Sequence, residues 1–276
     1  MDYTVWAEKY LRHSFFIEND CRVSLYASEL STKPVIVLVH GISGDHNGLV
    51  PLAAELVTEY RVVLIDLPGH GRSDATALQD AAALQKWFLH LMDHVKKKFG
   101  PVRYVAAHSF GCSAVLTPKV LGQAKVVLIN PVPTPSLMYA RYARIIMNSA
   151  HFWAHIYNWR LFILLRGMTL AKYRTHESMR RVRWVGWTSK ASYAQIVFQA
   201  GLVDIILDTS AYENAKNGAV AAVICGMSDT TAHERDSLDM ERVFGMSRSV
   251  FIRGGHLLPI ESPASVAGVL KEIMVE

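Results

Sequence analysis

Val105-Ala-Ala-His-Ser109-Phe-Gly111 decides the reading of this chain. A short apolar run ends in a serine set between a histidine and a phenylalanine, and a glycine follows. The pattern predicts a strand, a sharp turn and a helix, with the Ser109 hydroxyl held out of the sheet as a nucleophile elbow. Small residues are needed two positions away on either side, where strand and helix approach closely. Ala107 and Gly111 supply them.

Apolar runs spread outward from this stretch with the rhythm of a parallel sheet. Val35–Val39, Arg61–Ile65, Val102–Ala107, Lys125–Ile129, Ala219–Ile224 and Ser249–Ile252 read as strands, several of them continuous enough for burial on both faces. Helical spacing separates them over Val50–Thr58, Leu78–Lys98 and Pro263–Val275, the last with proline at a first-turn position. Ser14–Ile17 and Arg22–Tyr26 read as an antiparallel pair ahead of this alternation. The fold class is α/β: a mostly parallel open sheet flanked by helices.

The segment from Pro131 to about Asn217 breaks the rhythm. It is helical in character and holds four of the six tryptophans, Trp153, Trp159, Trp184 and Trp187. The expected division is a core over 1–132 and 215–276, with a helical cap inserted at 133–214 above the C-terminal strand ends. Ligands bind at those ends in open α/β sheets. Within the cap, the apolar stretch Ile156–Met168 reads as a helix covering a core or resting on an apolar surface; Arg160 and Arg166 interrupt it well short of membrane-spanning length.

At 276 residues, 51% of them hydrophobic, the chain can bury a substantial core and is not disordered. Cys21, Cys112 and Cys225 form no close pair, which argues against a disulfide framework or zinc cluster. A reducing, cytoplasmic setting is expected. The N-terminal residues carry no basic region and no apolar run of signal-peptide length. The net charge of +5 is uneven. From Pro131 to Lys190 there are ten Arg or Lys and one acid, Glu177; the remainder holds nineteen bases and twenty-three acids. The basic cap is read first as a solvated face. It could also steer an anionic substrate or acyl carrier, or touch an anionic membrane. No nucleic-acid module is recognised.

Two further residues complete a catalytic constellation. Asp229 follows Gly226-Met-Ser, and His256 lies in Gly254-Gly-His-Leu-Leu258, each just past a strand. A serine hydroxyl needs a base to take its proton, and the base needs a carboxylate to fix its tautomer. Ser109, Asp229 and His256 stand in the serine–acid–histidine order of one major hydrolase class. Asp208 is the reserve acid; Asp204 and Asp236 are other carboxylates in range. The N–H groups of Phe110 and Ile42 are the expected oxyanion donors. His108 is expected to pack in the core, and His40, Asp66 and His70 to brace loops. His90 and His94 read as a solvated helix face rather than metal ligands.

These motifs, with His40-Gly41 and Asp66-Leu-Pro-Gly-His-Gly-Arg-Ser73, resemble the α/β-hydrolase fold superfamily from about residue 33 to the C-terminus. The likeness is to serine-nucleophile, esterase- or lipase-like members with a helical cap, and it is weakest across the cap. It implies a nucleophile at Ser109, acid at Asp229, base at His256 and oxyanion amides at Ile42 and Phe110. One departure is Ala107, where family members usually carry glycine. The expected activity is hydrolysis of a carboxylic ester with an apolar acyl or aryl group, possible partners being lipid-like or anionic esters. Leu137, Met138, Phe152, Trp153 and Trp159 are the expected pocket. No cofactor and no metal is expected. Rival readings are a C–C bond hydrolase of vinylogous diketone acids, an acyl-carrier or CoA thioesterase, and a non-catalytic ligand receptor.

Overall fold

A computed structural model describes the chain except Leu30, 134–136, Thr209, 214–219, 232–247 and Glu276. Eight strands form one sheet in the order β1-β2-β4-β3-β5-β6-β7-β8. They are β1 (Leu11–Glu18), β2 (Cys21–Ser28), β3 (Val35–Val39), β4 (Arg61–Ile65), β5 (Val102–His108), β6 (Lys125–Ile129), β7 (Ala222–Gly226) and β8 (Ser249–Ile252). β1 and β2 form an antiparallel hairpin, and β2 meets β4 antiparallel. The other pairings are parallel, with Val37 beside both Val63 and Val105 at the centre.

The apolar runs are strands because both sheet faces are covered. Along β3, Val35, Val37 and Val39 enter one core, and Ile36 and Leu38 enter the other. The alternation follows from the twofold side-chain period of a strand. Helix α3 (Ala81–Phe99) packs on the first face through Leu84, Phe88, Leu91 and Val95. Helices α1 (Tyr3–Tyr10), α2 (Val50–Leu56) and the C-terminal helix (Pro263–Val275) pack on the second. Two short helices, α4 (Gly111–Val115) and α5 (Pro118–Leu121), link β5 to β6.

Between β6 and β7 lies the helical cap: α6 (Leu137–Asn148), α7 (Ala150–Ile156), α8 (Arg160–Leu170), α9 (His176–Thr188), α10 (Tyr193–Gly201) and α11 (Val203–Leu207). The expected cap boundary at residue 214 lies outside the described residues. Here the structure corrects the single helix expected over Ile156–Met168. The chain breaks after α7, where Asn158 leaves the helical ladder and exchanges two hydrogen bonds with Ala191, Nδ2 to O at 2.7 Å and N to Oδ1 at 3.4 Å. His90 is exposed, as the solvated-face reading expects, whereas His94 is half-buried and departs from it. His90 Nδ1 lies 2.6 Å from Glu18 Oε1, and the His94 ring stacks on Phe16 at 3.9 Å, so both hold α3 to β1. No described helix is long and apolar enough to cross a membrane.

Candidate active site

The site begins at the end of β5. Ser109 has φ of +51°, in the left-handed region that a non-glycine residue adopts at a cost of about 1–3 kcal/mol. The turn is fixed from both sides. Ser109 N donates to Ile129 O at 2.9 Å, and Cys112 N donates to Ser109 O at 2.9 Å. Close packing then explains two glycines. A Cβ on Gly111 would lie 2.5 Å from His40 O, and one on Gly41 would lie 2.9 Å from Ser109 Cβ. The loop after β3 therefore rests directly on the elbow. This brings the backbone at Ile42 close to Ser109, while Phe110 opens α4 on the other side.

Ser109 Oγ donates to His256 Nε2 at 2.9 Å, and His256 Nδ1 donates to Asp229 Oδ2 at 2.8 Å. The three residues named from the sequence are thus brought into one line. Burial alone would raise the Asp229 carboxyl. The adjacent His256, with hydrogen bonds from His256 and Thr231, overrides that and holds it well below the usual carboxylate range. Asp208, the reserve acid, instead accepts a hydrogen bond from Ser210 N at 2.9 Å beyond α11. Asp204 lies on α11, and Asp236 falls outside the described residues.

Three contributors to this site carry no signal in the motif reading. Thr231 donates its hydroxyl proton to Asp229 Oδ1, and its backbone N–H reaches the same oxygen at 2.8 Å. Its one proton being spent, Thr231 Oγ1 can only accept, so the single Nδ1 proton of His256 is shared between Asp229 Oδ2 at 2.8 Å and Thr231 Oγ1 at 2.6 Å. Asn130, at φ of +46° just past β6, donates from Nδ2 to Asp229 Oδ2 and to Gly255 O. Glu261 is 1% exposed. Its carboxylate accepts from Gly255 N and Leu257 N, which flank His256, and from Lys172 N and Tyr173 N of the strap joining α8 to α9. A polar residue two positions after Asp229, and a carboxylate five after His256, were the available clues.

The bracing histidines are buried. His108 Nε2 donates to His256 O at 2.7 Å, and burial with the neighbouring His256 pushes the His108 pKa down to about 3. His40 donates from Nδ1 to Gly41 O and accepts from Leu67 N. His70 donates from Nδ1 to Pro68 O and accepts from Ser43 N. Asp66 accepts from His46 and from Arg72 N.

The cap residues expected to form an acyl pocket divide differently. Phe152 and Trp159 are 61% and 62% exposed, so neither is enclosed; Phe152 lies on the outer face of α7, whose buried residues are Ala150 and Ala154, and Trp159 precedes α8. Trp153 is half-buried, with Nε1 donating to Ser149 Oγ and its ring against Phe162. The side chains of Leu137 and Met138 lie outside the described residues. Among the described residues, no cluster of His, Cys, Asp and Glu is arranged to hold a metal ion.

Comparison with known proteins places this geometry. The alpha/beta hydrolase family matches residues 36–269. A curated relative, the dihydrolipoyllysine-residue acetyltransferase component of the acetoin cleaving system of Pseudomonas putida, is 36% identical over 104 residues. That match covers 37% of this chain and 27% of the relative, so the chain spans about a quarter of it. Among solved structures, a thermophilic esterase from Thermogutta terrifontis is 18% identical, with a TM-score of 0.71 over 95% of this chain and 97% of the other. The Cif epoxide hydrolase from Acinetobacter nosocomialis is also 18% identical, with a TM-score of 0.74 over 96% and 89%. An esterase and an epoxide hydrolase on one architecture show that these likenesses establish the fold alone. The family match takes in the elbow, the acid loop and the histidine loop together, the arrangement of a serine-nucleophile hydrolase. This chain belongs to the alpha/beta hydrolase family.

Proposed function

We propose that the protein hydrolyses a carboxylic ester through an acyl-enzyme formed on Ser109. The observation that carries this reading is the hydrogen-bonded line from Ser109 Oγ through both nitrogens of His256 to Asp229. Ser109 Oγ attacks the ester carbonyl as its proton passes to His256 Nε2. Asp229 stabilises the imidazolium and keeps Nδ1 protonated. The N–H groups of Phe110 and Ile42 hold the oxyanion; each such donor is worth about 3–4 kcal/mol in the transition state. His256 gives its proton to the departing alkoxide, and the C–O bond breaks. Water, deprotonated by the same histidine, then attacks the acyl-enzyme. The acid leaves and Ser109 regains its proton.

The substrate class follows from the cap, taken as 133–214. An apolar or lipid-like acyl group suits its aromatic content, with Trp153 the half-buried candidate for contact. Trp159, Leu161, Leu165 and Trp187 are exposed on α8, α9 and the turn before α8, and the Arg160 guanidinium lies over the Trp187 ring. Apolar side chains interleaved with the cations of this segment suit an anionic lipid surface as partner. The three free cysteines fit a reducing, cytoplasmic setting.

The test is a series of p-nitrophenyl esters of graded chain length, with a fluorophosphonate label. The wild-type protein should label at Ser109 and turn over some member of the series. Ser109→Ala should abolish labelling and lower kcat by roughly five to six orders of magnitude. No labelling of folded wild-type protein sinks the proposal.

A further inference from the structure

Beside the catalytic loops, and separate from the Ser109–His256–Asp229 line, lies a cleft of about 370 Å³. Its walls come from two places. Lys172, Tyr173, Arg174 and Thr175 belong to the strap between α8 and α9; Ser228 adjoins Asp229, and Arg253 lies three residues before His256. Three cationic side chains thus converge on one concavity. Among the described residues, none of the three is in an ion pair with a carboxylate. Glu261, just behind the strap, is already committed to backbone amides.

The cations are also oriented. The Arg253 guanidinium lies over the Tyr173 ring at 4.9 Å. Arg174 donates from Nε to Ala171 O at 3.3 Å and from Nη2 to Met168 O at 2.5 Å. The strap beneath them is pinned, since Lys172 N and Tyr173 N are both held by Glu261. Like charges gathered with no carboxylate paired to them among the described residues repel one another, and an anion in their midst relieves that repulsion. The donors also select the anion. A carboxylate offers two coplanar oxygens, which one guanidinium satisfies. The Arg253 guanidinium, the Arg174 N–H groups not spent on Ala171 O and Met168 O, an ammonium and the hydroxyls of Thr175 and Ser228 match a multiply charged tetrahedral group with oxygens in several directions.

We propose that this cleft is a binding site for a phosphate group, carried either by a small soluble phosphate ester or by a lipid headgroup. A ligand held there touches the cap strap and both loops that carry Asp229 and His256. The site stands on residues other than the nucleophile, so it is tested on the Ser109→Ala protein, where the outcome does not depend on ester hydrolysis.

Thermal unfolding is measured with inorganic phosphate, sn-glycerol 3-phosphate, or vesicles of phosphatidylglycerol in phosphatidylcholine. The controls are chloride at matched ionic strength and pure phosphatidylcholine vesicles. At saturating ligand the Tm should rise by about 2 °C or more. Arg174→Gln with Arg253→Gln should remove the rise. Protection by the soluble phosphates assigns the source to a soluble ester; protection by anionic vesicles alone, lost in the double variant, assigns it to a headgroup. Lys172→Gln, a single change at an exposed side chain, covers the case in which the double variant does not fold; its apparent phosphate affinity should fall about tenfold. No rise with any of the three ligands, or a rise that survives these substitutions unchanged, overturns the proposal.

Discussion

Ser109 carries two loads at once, a left-handed backbone and the hydroxyl proposed as nucleophile, hydrogen-bonded to His256. They can be separated by substitution. Ser109→Ala removes the hydroxyl and keeps a Cβ in the strained turn, whereas Ser109→Gly removes both. The glycine variant should be more stable than the alanine variant by about 1 kcal/mol in urea unfolding, and both should be inactive. Equal stability would mean that the turn stores no strain. Glu261 acts at one remove from the chemistry. Its buried carboxylate accepts from the amides on both sides of His256, so it is a positioning residue for the imidazole. Glu261→Gln keeps the shape, but its amide group offers one acceptor oxygen and turns donors toward donors. The histidine loop should loosen, lowering kcat by about ten- to a hundredfold while KM changes little. Glu261→Asp should recover part of the loss; a variant that merely lowers Tm with kcat intact would show that the clamp is not felt at Ser109.

At the scale of elements, the strands and the elbow were readable because short runs rich in β-branched residues, bounded by turn residues, alternate with helical spacing; an apolar run alone does not decide, since Leu161–Leu165 is equally unbroken and lies in α8. The final helix, Pro263–Val275, was readable from its proline. Contacts between distant loops were not. Nothing in the spacing of Asn130 and Thr231 says that β6 and the acid loop converge on one carboxylate. The break after α7 was hidden for a related reason: its cause is a pair of hydrogen bonds between Asn158 and Ala191, thirty-three residues apart. The pairing of α8 with α9 likewise depends on two glycines that looked incidental. A Cβ on Gly167 would lie 2.6 Å from Val182 Cγ1, and one on Gly186 would lie 2.3 Å from Ile163 Cγ2. Both neighbours are β-branched and stiff at χ1, so neither can swing aside cheaply. Gly167→Ala and Gly186→Ala should each destabilise the cap by roughly 1–3 kcal/mol, seen as faster limited proteolysis within the cap. Unchanged cleavage would mean that the two helices do not meet as closely as this.

For the molecule as a whole, the pH dependence of stability follows from histidines that the fold refuses to protonate. Burial, and then the charge of a neighbouring histidine, push His70 and His108 each down to about 3. In the unfolded chain each titrates near 6.5. Between those values the unfolded chain binds two protons that the native protein excludes. The stability these groups contribute is therefore complete above about pH 6.5 and declines as the pH falls toward 3. His46 works in the opposite sense. Burial would lower it, but Asp66 raises it above its ordinary value, so its contribution is complete below 6.5 and is lost as the pH rises through the folded value. Asp66 and Asp229 are held low, and their contributions fade only below about pH 4. Over the interval from pH 6 to 5 these two histidines contribute roughly 2–3 kcal/mol per pH unit to the slope, and His40, His13 and His94, which burial also pushes down, add to it. Urea unfolding at pH 6.0 and 5.0 measures it directly. His70→Gln removes one of these protons and should lower the slope by about 1 kcal/mol per pH unit. If the substitution leaves the slope unchanged, His70 is not kept neutral by burial, and the packing of the Asp66–Ser73 loop against the oxyanion loop must be looser than its hydrogen bonds indicate.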